Sequence, residues 1–533
     1  MADEIDFGET ANLRRREFLI ASAATGVAAT VPLNYAAVAR SAATPIARAG
    51  KFAHGVSSGF PSPKAVTLWT RVSDLDRSSK LTLEVAKDKN FRRVVKRKQV
   101  IAEKGDDFTI HQRVGGLNPG HEYYYRFETR NKSSRVGKFR TLPPHDSKQR
   151  LKIGYFSCQD YEAGYFNAQA AMAKEDLDLV ICLGDYIYEH MYYDGPADRV
   201  DRTGPNNDGD VQSLAEFREK YRFYQADEDL QDLHAAHPWV TVWDDHEVED
   251  NYAGDEADSA QPDPHLENSG YPRRVPFKRR RRNAYKAYFE AHPRLHRKGM
   301  AKNQIYGSIR LGGLAELFLT DQRQYRDPQP CMDALLKPCP EATEPGLTML
   351  GKEQKRWFKG AVPASNAKWK LWASELLTMS VDVPAGQAAI LDTWDGYQAE
   401  RREILERFKS KGVDNLVVLT GDIHTFLAGD LTTTGREGGD PIGVELVGGS
   451  ATSLGLPEYL GQPSSVLDAL RKQFNPHIKW ADFDHRGYAV IEVSKQKVEA
   501  EFKSVDALTK GAPAQSLAKF EIVAGDPTLH QAV

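Results

Sequence analysis

Asp178-Leu-Val-Ile-Cys-Leu-Gly-Asp-Tyr-Ile-Tyr188 decides how this chain folds: a β-type apolar run ends abruptly in a polar cluster. Three further stretches repeat the pattern. Cys158-Gln-Asp160 follows LKIGYFS, Asp244-Asp245-His246-Glu247 follows VTVW, and Gly421-Asp422-Ile-His424 follows NLVVLT. Strands of an α/β sheet deliver side chains at their carboxyl ends, where ligands collect. Thiolate, carboxylates, imidazole and phenol are thereby expected at one edge of the fold. That is a metal-dependent hydrolase pattern.

Outward from these strands the chain divides. From Lys51 to about Leu142 the pattern is β only, with short runs such as AVTLWTRV, KLTLEVAK and YYYRFETR separated by Gly, Pro, Asp and Asn. Such spacing predicts a small β-sandwich over residues 48–143, a scaffold or lid, with Leu117-Asn-Pro-Gly-His-Glu-Tyr as a fibronectin type III-like corner. After the linker at Thr141–Ser147, strands alternate with helical stretches such as SLAEFREKYRFYQ, so residues 150–520 are expected to form an α/β domain. Polar insertions near Asp194–Asp210 and Gly254–Pro272 sit close to the metal-type motifs. The runs GYAVIEVS and KVEAEFKSV are read as a hairpin closing the second sheet.

The first 40 or so residues read as a leader. Paired arginines within Arg14-Arg15-Arg16-Glu-Phe-Leu precede a short Ala-rich run, and Ala37-Val38-Ala39 offers a small-residue cleavage site. The arrangement resembles a twin-arginine export signal, which would make the twin-arginine translocase a partner and place a folded, monomeric product in the periplasm or outside the cell. No run approaches the ~18 apolar residues of a membrane span. With 533 residues, 41% hydrophobic, 27% charged and a formal net charge of −3, the chain can build a large core. It carries no global field that favours nucleic acid. The basic run Arg273–Arg282 reads as a solvated helix start or loop before a polyanion site. An oxidising compartment would permit a local disulfide between Cys331 and Cys339, while Cys182, inside a strand, reads as a small core residue.

Each motif has a bland reading beside the chemical one. Asp185 could bridge two cations and Tyr188 return to the same site, or Asp185 could cap a helix ahead of packing tyrosines. Tyr186–Tyr193 could face lipid or belong to the core. Cys158 is a ligand or a buried thiol. Asp422 and His424 share a face if the segment is extended. A phenolate ligand implies a strongly Lewis-acidic ion such as ferric iron.

The ordered set Cys158-x-Asp160, LGDYIYE, WDDHEVEDN, DQRQYR, GDIH and DHRGY resembles the alkaline phosphatase D family, and HGVSSGFPSPKAVTLWTRV resembles the start of its N-terminal domain. The arrangement also parallels purple acid phosphatases. The resemblance implies an αββα sandwich of two packed mixed sheets flanked by helices, preceded by the small fibronectin III-like β-sandwich. It implies ferric iron on Cys158, Asp185, Tyr188 and His424, with Asp185 bridging to calcium shared by Asp245 and Asp422. Asp160 would approach a further calcium and Asn251 would bind metal or phosphate oxygen. Zinc fits this donor set less well.

The expected activity is hydrolysis of phosphate mono- and diesters by a metal-bound hydroxide or oxide, releasing phosphate for uptake. His246 is the candidate donor to the leaving alkoxide, or a histidine that orients a carboxylate. Arg323 and Arg326 could contact phosphate through their forked donors, or pair with Asp321 and Asp327 as a structural network. The alternatives are a phospholipase D-type phosphodiesterase acting on lipid headgroups and a non-catalytic extracellular metal-binding protein.

Overall fold

The computed structural model describes residues 44–531 apart from 192–194, 258–273, 295–299, 334–338, 384–386, 389 and 437. The leader, and most of the polar insertion after Gly254, lie outside the described residues. No helix among the described residues is long and apolar enough to cross a membrane.

Two mixed sheets face each other. The first has ten strands, and within it Leu151–Phe156, Leu179–Leu183 and Pro238–Val242 run side by side and parallel. The second has seven, with Ala315–Leu319, Trp369–Ser374, Leu416–Thr420 and Pro441–Gly448 parallel at its centre. Every residue of Leu179–Leu183, Pro238–Val242, Trp369–Ser374 and Leu416–Thr420 is buried. That explains why Leu179–Leu183 and residues 416–419 are continuously apolar rather than alternating.

The pleat sorts the second sheet's side chains between two cores. Leu317, Leu319, Leu371, Val417 and Leu419 enter the core between the sheets. Phe318, Trp372 and Val418 point the other way, onto Phe358, Ile404 and Phe408 of helices Gly351–Ala364 and Gln398–Ser410. Helices Leu214–Gln225 and Phe277–Ala291 contribute Phe217, Tyr221, Tyr285 and Tyr288 to the core of the first sheet. The result is the expected αββα sandwich.

The segment before residue 143 has its own core, built from Leu81, Leu83, Val85, Tyr125, Phe127 and Phe139 against Val66, Leu68 and Val114. The Tyr123 hydroxyl accepts the Asn118 backbone N–H at 2.9 Å, fixing the corner read from the sequence. One of its sheets is not separate, however. Val56–Ser62 pairs in parallel with Pro238–Val242, so three strands of this segment extend the ten-stranded sheet.

The placement of the last hairpin needs correction. The hairpin Arg486–Val493 and Lys497–Val505 joins the first sheet rather than the second, because Arg486–Val493 pairs antiparallel with Leu151–Phe156. The described part of the basic run is a largely exposed helix start, as read, except for Arg280. It enters helix Phe277–Ala291, where buried Arg280 pairs with Glu249 at 2.8 Å and ties the helix to the WDDHEVEDN loop. Cys331 and Cys339 are joined by a disulfide with Cα atoms 5.8 Å apart, and Cys182 is a buried free thiol.

The seam between the N-terminal strands and Pro238–Val242 holds the buried His234 and His292 and the partly buried His111. His234 stacks on Trp239 at 3.9 Å and bonds Ser57 and Tyr186, while His111 donates to the carbonyl of His292. Burial pushes His111 down to about 4, His234 to about 3 and His292 well below its ordinary value. At these three sites the unfolded chain therefore binds more protons than the folded one below pH ~6.5, so the stability they contribute is full above that pH and is lost as acid is added. Each histidine is expected to withdraw on the order of 1–3 kcal/mol by pH 4. Between pH 7 and pH 5 the unfolding temperature of wild type should fall further than that of a His234→Gln variant; equal changes in the two would contradict neutral burial.

Candidate metal centre

The carboxyl ends of Leu151–Phe156, Leu179–Leu183 and Pro238–Val242 lie at one edge of the first sheet, and that of Leu416–Thr420 meets them from the second. Two glycines permit the approach. A Cβ on Gly184, whose φ is +105°, would lie 2.4 Å from the Cβ of Asp244, and one on Gly421 would lie 2.5 Å from the Ser157 hydroxyl. The residues that follow are coiled tightly. Cys158, Asp185, Asn251, Asp422 and His424 all have φ between 50° and 67°, a left-handed conformation that is uncommon outside glycine. Such conformations concentrate at functional sites.

Two groups of donor atoms form there, and Asp185 belongs to both. Cys158, Asp185 and His424 place ligand atoms within 4.8 Å of one another, as do Asp185, Asp245 and His246. The Tyr188 hydroxyl joins the first group, 3.4 Å from Asp185 Oδ2 and 3.2 Å from His424 Nε2. Its ring stacks on His246 at 4.1 Å. Tyr186 and Tyr188 are buried and so do not face lipid; Tyr192 and Tyr193 lie outside the described residues. His424 Nδ1–H donates to the Leu454 carbonyl at 2.7 Å, which leaves Nε2 as the lone-pair nitrogen. Burial lowers this imidazole to about 4, so it is neutral and able to ligate.

Asp422 and His424 do not share the face of an extended segment. The chain turns as soon as the strand ends at Thr420, with both residues left-handed. His424 goes to the cysteine side, and Asp422 goes to an acidic cluster around Arg323. Asp160 is buried outside both donor groups, its Oδ1 accepting the Glu162 N–H at 2.9 Å. Asn251 stands beside the second group: its backbone N–H holds Asp245 Oδ2 at 2.7 Å.

Arg323 departs most from the sequence reading. Its side chain is 0% exposed, and its fork faces Asp244, Asp392 at 2.7 Å, Asp422 at 3.4 Å and Asp245 at 3.5 Å. Arg326 pairs with Asp392 at 2.6 Å. Neither guanidinium pairs with Asp321 or Asp327. The Asp321 carboxylate instead accepts Trp243 Nε1, and Asp327 holds the Thr348 N–H. In this structure Arg323 is an internal counter-charge, with its donors directed at carboxylates rather than at a phosphate.

Asp392 was missed because it stands in a loop, Leu391-Asp-Thr-Trp, with no strand to mark it. Asp244 and Glu189 were visible in their motifs but not singled out. The Glu189 carboxylate accepts His246 Nδ1 at 3.0 Å and the Asp250 N–H at 3.0 Å, orienting the imidazole.

Electrostatically the cluster is short of positive charge. Burial, together with Asp245, Asp244 and Glu247, raises Asp185 well above the carboxylate range, and burial with Asp244 does the same to Asp422. Burial also raises Asp244, to about 6 despite Arg323. For Asp245 burial is outweighed by the charges of Arg323 and His246, and its pKa falls below the usual range. Asp185 Oδ1 and Asp244 Oδ2 are buried acceptors with no hydrogen-bond partner among the described residues. Buried carboxylates are expensive unless paired or coordinating a metal. These donors therefore fit cations.

Comparison with known proteins agrees. Residues 153–502 match the PhoD-like phosphatase family, and residues 37–143 match the N-terminal domain of PhoD-like phosphatases. The chain is 36% identical over 488 residues to alkaline phosphatase D of Bacillus subtilis (strain 168), covering 88% of this chain and 80% of that protein. The solved structure of PhoD aligns with a TM-score of 0.79 at 32% identity, over 90% of this chain and 92% of the other. A purple acid phosphatase from yellow lupin (Lupinus luteus) seeds shares the fold, with a TM-score of 0.54 at 11% identity over 88% and 73% of the two chains. The chain belongs to the PhoD-like phosphatase family and is a phosphoesterase of the alkaline phosphatase D type.

Proposed function

We propose that this phosphoesterase hydrolyses phosphate mono- and diesters outside the cytoplasm and releases phosphate for uptake. The observation that carries the reading is the membership of Asp185 in both donor groups. Cys158, Asp185, Tyr188 and His424 would hold one cation, ferric iron on the strength of a thiolate, a phenol and an imidazole together. Asp185, Asp245 and Asp422 would hold a second, for which their all-oxygen character suits calcium. Asp160 and Asn251 remain candidates for a further calcium or for phosphate oxygen. Bound there, the cations would supply Lewis acidity, neutralising the ester's oxygens and making a water acidic enough to attack near neutral pH.

The chain's own groups do the positioning. Arg323 holds Asp244, Asp245, Asp392 and Asp422 together, with Arg326 also paired to Asp392. Glu189 fixes His246 Nδ1, so Nε2 is the atom that would give a proton to the leaving alkoxide. The paired arginines of the leader support export in the folded state by the twin-arginine route.

Metal analysis of protein recovered from its native export route is expected to find iron and calcium. Chelation should abolish turnover of p-nitrophenyl phosphate and bis-p-nitrophenyl phosphate. Full turnover in a metal-stripped preparation would exclude the metal reading, and a clear preference for phosphatidylcholine over both would move the substrate to lipid headgroups.

A further inference from the structure

We propose that Glu247 is the positioning residue that sets Asp185 in place, locking the loop that carries it to the loop that carries Asp244 and Asp245. The inference rests on the reading of Asp185 as a shared metal ligand. The Glu247 side chain is 1% exposed and both its oxygens point into backbone. Oε2 accepts the N–H of Asp185 at 3.1 Å and of Asp244 at 2.8 Å, and Oε1 accepts the N–H of Tyr186 at 2.8 Å. One carboxylate thus satisfies three backbone donors from the ends of two neighbouring strands. Its own backbone belongs to the tight turn in which Val248 and Glu249 donate back to the Asp245 carbonyl.

The local conformation shows what this accomplishes. Gly184 at φ +105° and Asp185 at φ +52° turn two successive N–H groups, those of Asp185 and Tyr186, toward one point. Successive amides in such a turn form a concavity that attracts an anion, and here the anion is built into the chain. A left-handed aspartate is a strained conformation, so the loop needs a fixed partner to stay coiled. Without it Asp185 would be free to relax toward ordinary backbone and carry its carboxylate out of both donor groups. Glutamine cannot substitute: its amide has one acceptor oxygen, and its NH₂ would confront a backbone N–H.

The test compares full-length wild type with Glu247→Gln in three ways: metal retention during dialysis against graded EDTA, kcat and KM for p-nitrophenyl phosphate at saturating metal, and the unfolding temperature without metal. The variant is expected to lose metal at roughly 10–100-fold lower chelator, with kcat down at least about tenfold and KM within about twofold. A lower unfolding temperature with wild-type metal retention and kcat would reduce Glu247 to a fold-stabilising group and overturn the proposal. Should Glu247→Gln fail to fold, Glu247→Asp keeps the charge but shortens the reach. It is expected to show intermediate losses, and wild-type behaviour in that variant would be equally fatal. Wild type that retains no metal at all would remove the reading beneath the inference, a result distinct from either.

Discussion

Asp185→Asn is expected to lower kcat for phosphate esters by at least about a thousandfold, roughly 4 kcal/mol of transition-state stabilisation. The same substitution should leave the metal-free protein as stable as wild type or more so. Both outcomes follow from where the carboxylate sits. It belongs to both donor groups, so its loss weakens two cation sites at once. It is also buried, held well above the carboxylate range by burial and by the neighbouring acids, and left with one oxygen unpaired. In the metal-free chain that charge is a liability, and a neutral amide of the same shape relieves it. Activity and stability therefore move in opposite directions, as expected of a group kept for function. Wild-type turnover in Asp185→Asn, or a large fall in its metal-free unfolding temperature, would contradict the shared-ligand role.

Arg323→Met should act in the reverse sense. This guanidinium faces the buried Asp244, Asp245 and Asp392 and the partly buried Asp422, and removing it strips Asp244, Asp245 and Asp422 of that counter-charge while Asp392 keeps Arg326. Breaking a buried pair by deleting one partner typically costs about 3–5 kcal/mol, and the metal-free protein is expected to lose that much. Added metal should restore part of the deficit, because cations bound to Asp245 and Asp422 replace the missing charge. Arg323→Lys is not a conservative exchange here, since a point charge cannot fork between Asp244 and Asp392. Denaturant midpoints with and without metal measure both effects. Equal midpoints for Arg323→Met and wild type in the metal-free state would show that the cluster does not depend on this arginine.

The contrast between these residues shows what the linear chain reveals. Strand ends are legible because a run such as Leu179–Leu183 is apolar throughout and stops at a glycine-aspartate pair, and parallel strands must end on the same side. Cys158, Asp185, Tyr188 and His424 are candidates for that reason, while their grouping as one ligand set comes from the resemblance to the alkaline phosphatase D family. Ion-pair partners are not legible, because they are set by which loops approach in space. Arg323 reaches Asp244 and Asp422 across long sequence separations while its near neighbour Asp321 turns to Trp243. Left-handed backbone is equally hidden when the residue is not glycine. Asp422 and His424 look like alternate residues of an extended segment, yet the strand has already ended and they diverge to different partners. The sheet that receives the last hairpin was misjudged for a related reason: apolar alternation marks a strand but not its neighbour.

Anomalous diffraction from crystals of the active, metal-loaded enzyme, recorded on both sides of the iron absorption edge, tests the central claim most directly. The expected result is an iron peak within bonding distance of Cys158 Sγ, Tyr188 Oη, His424 Nε2 and an Asp185 oxygen, with a second cation on the other side of Asp185. An active enzyme whose metal peaks lie away from Asp185, or in which Asp185 touches only one of them, would contradict it.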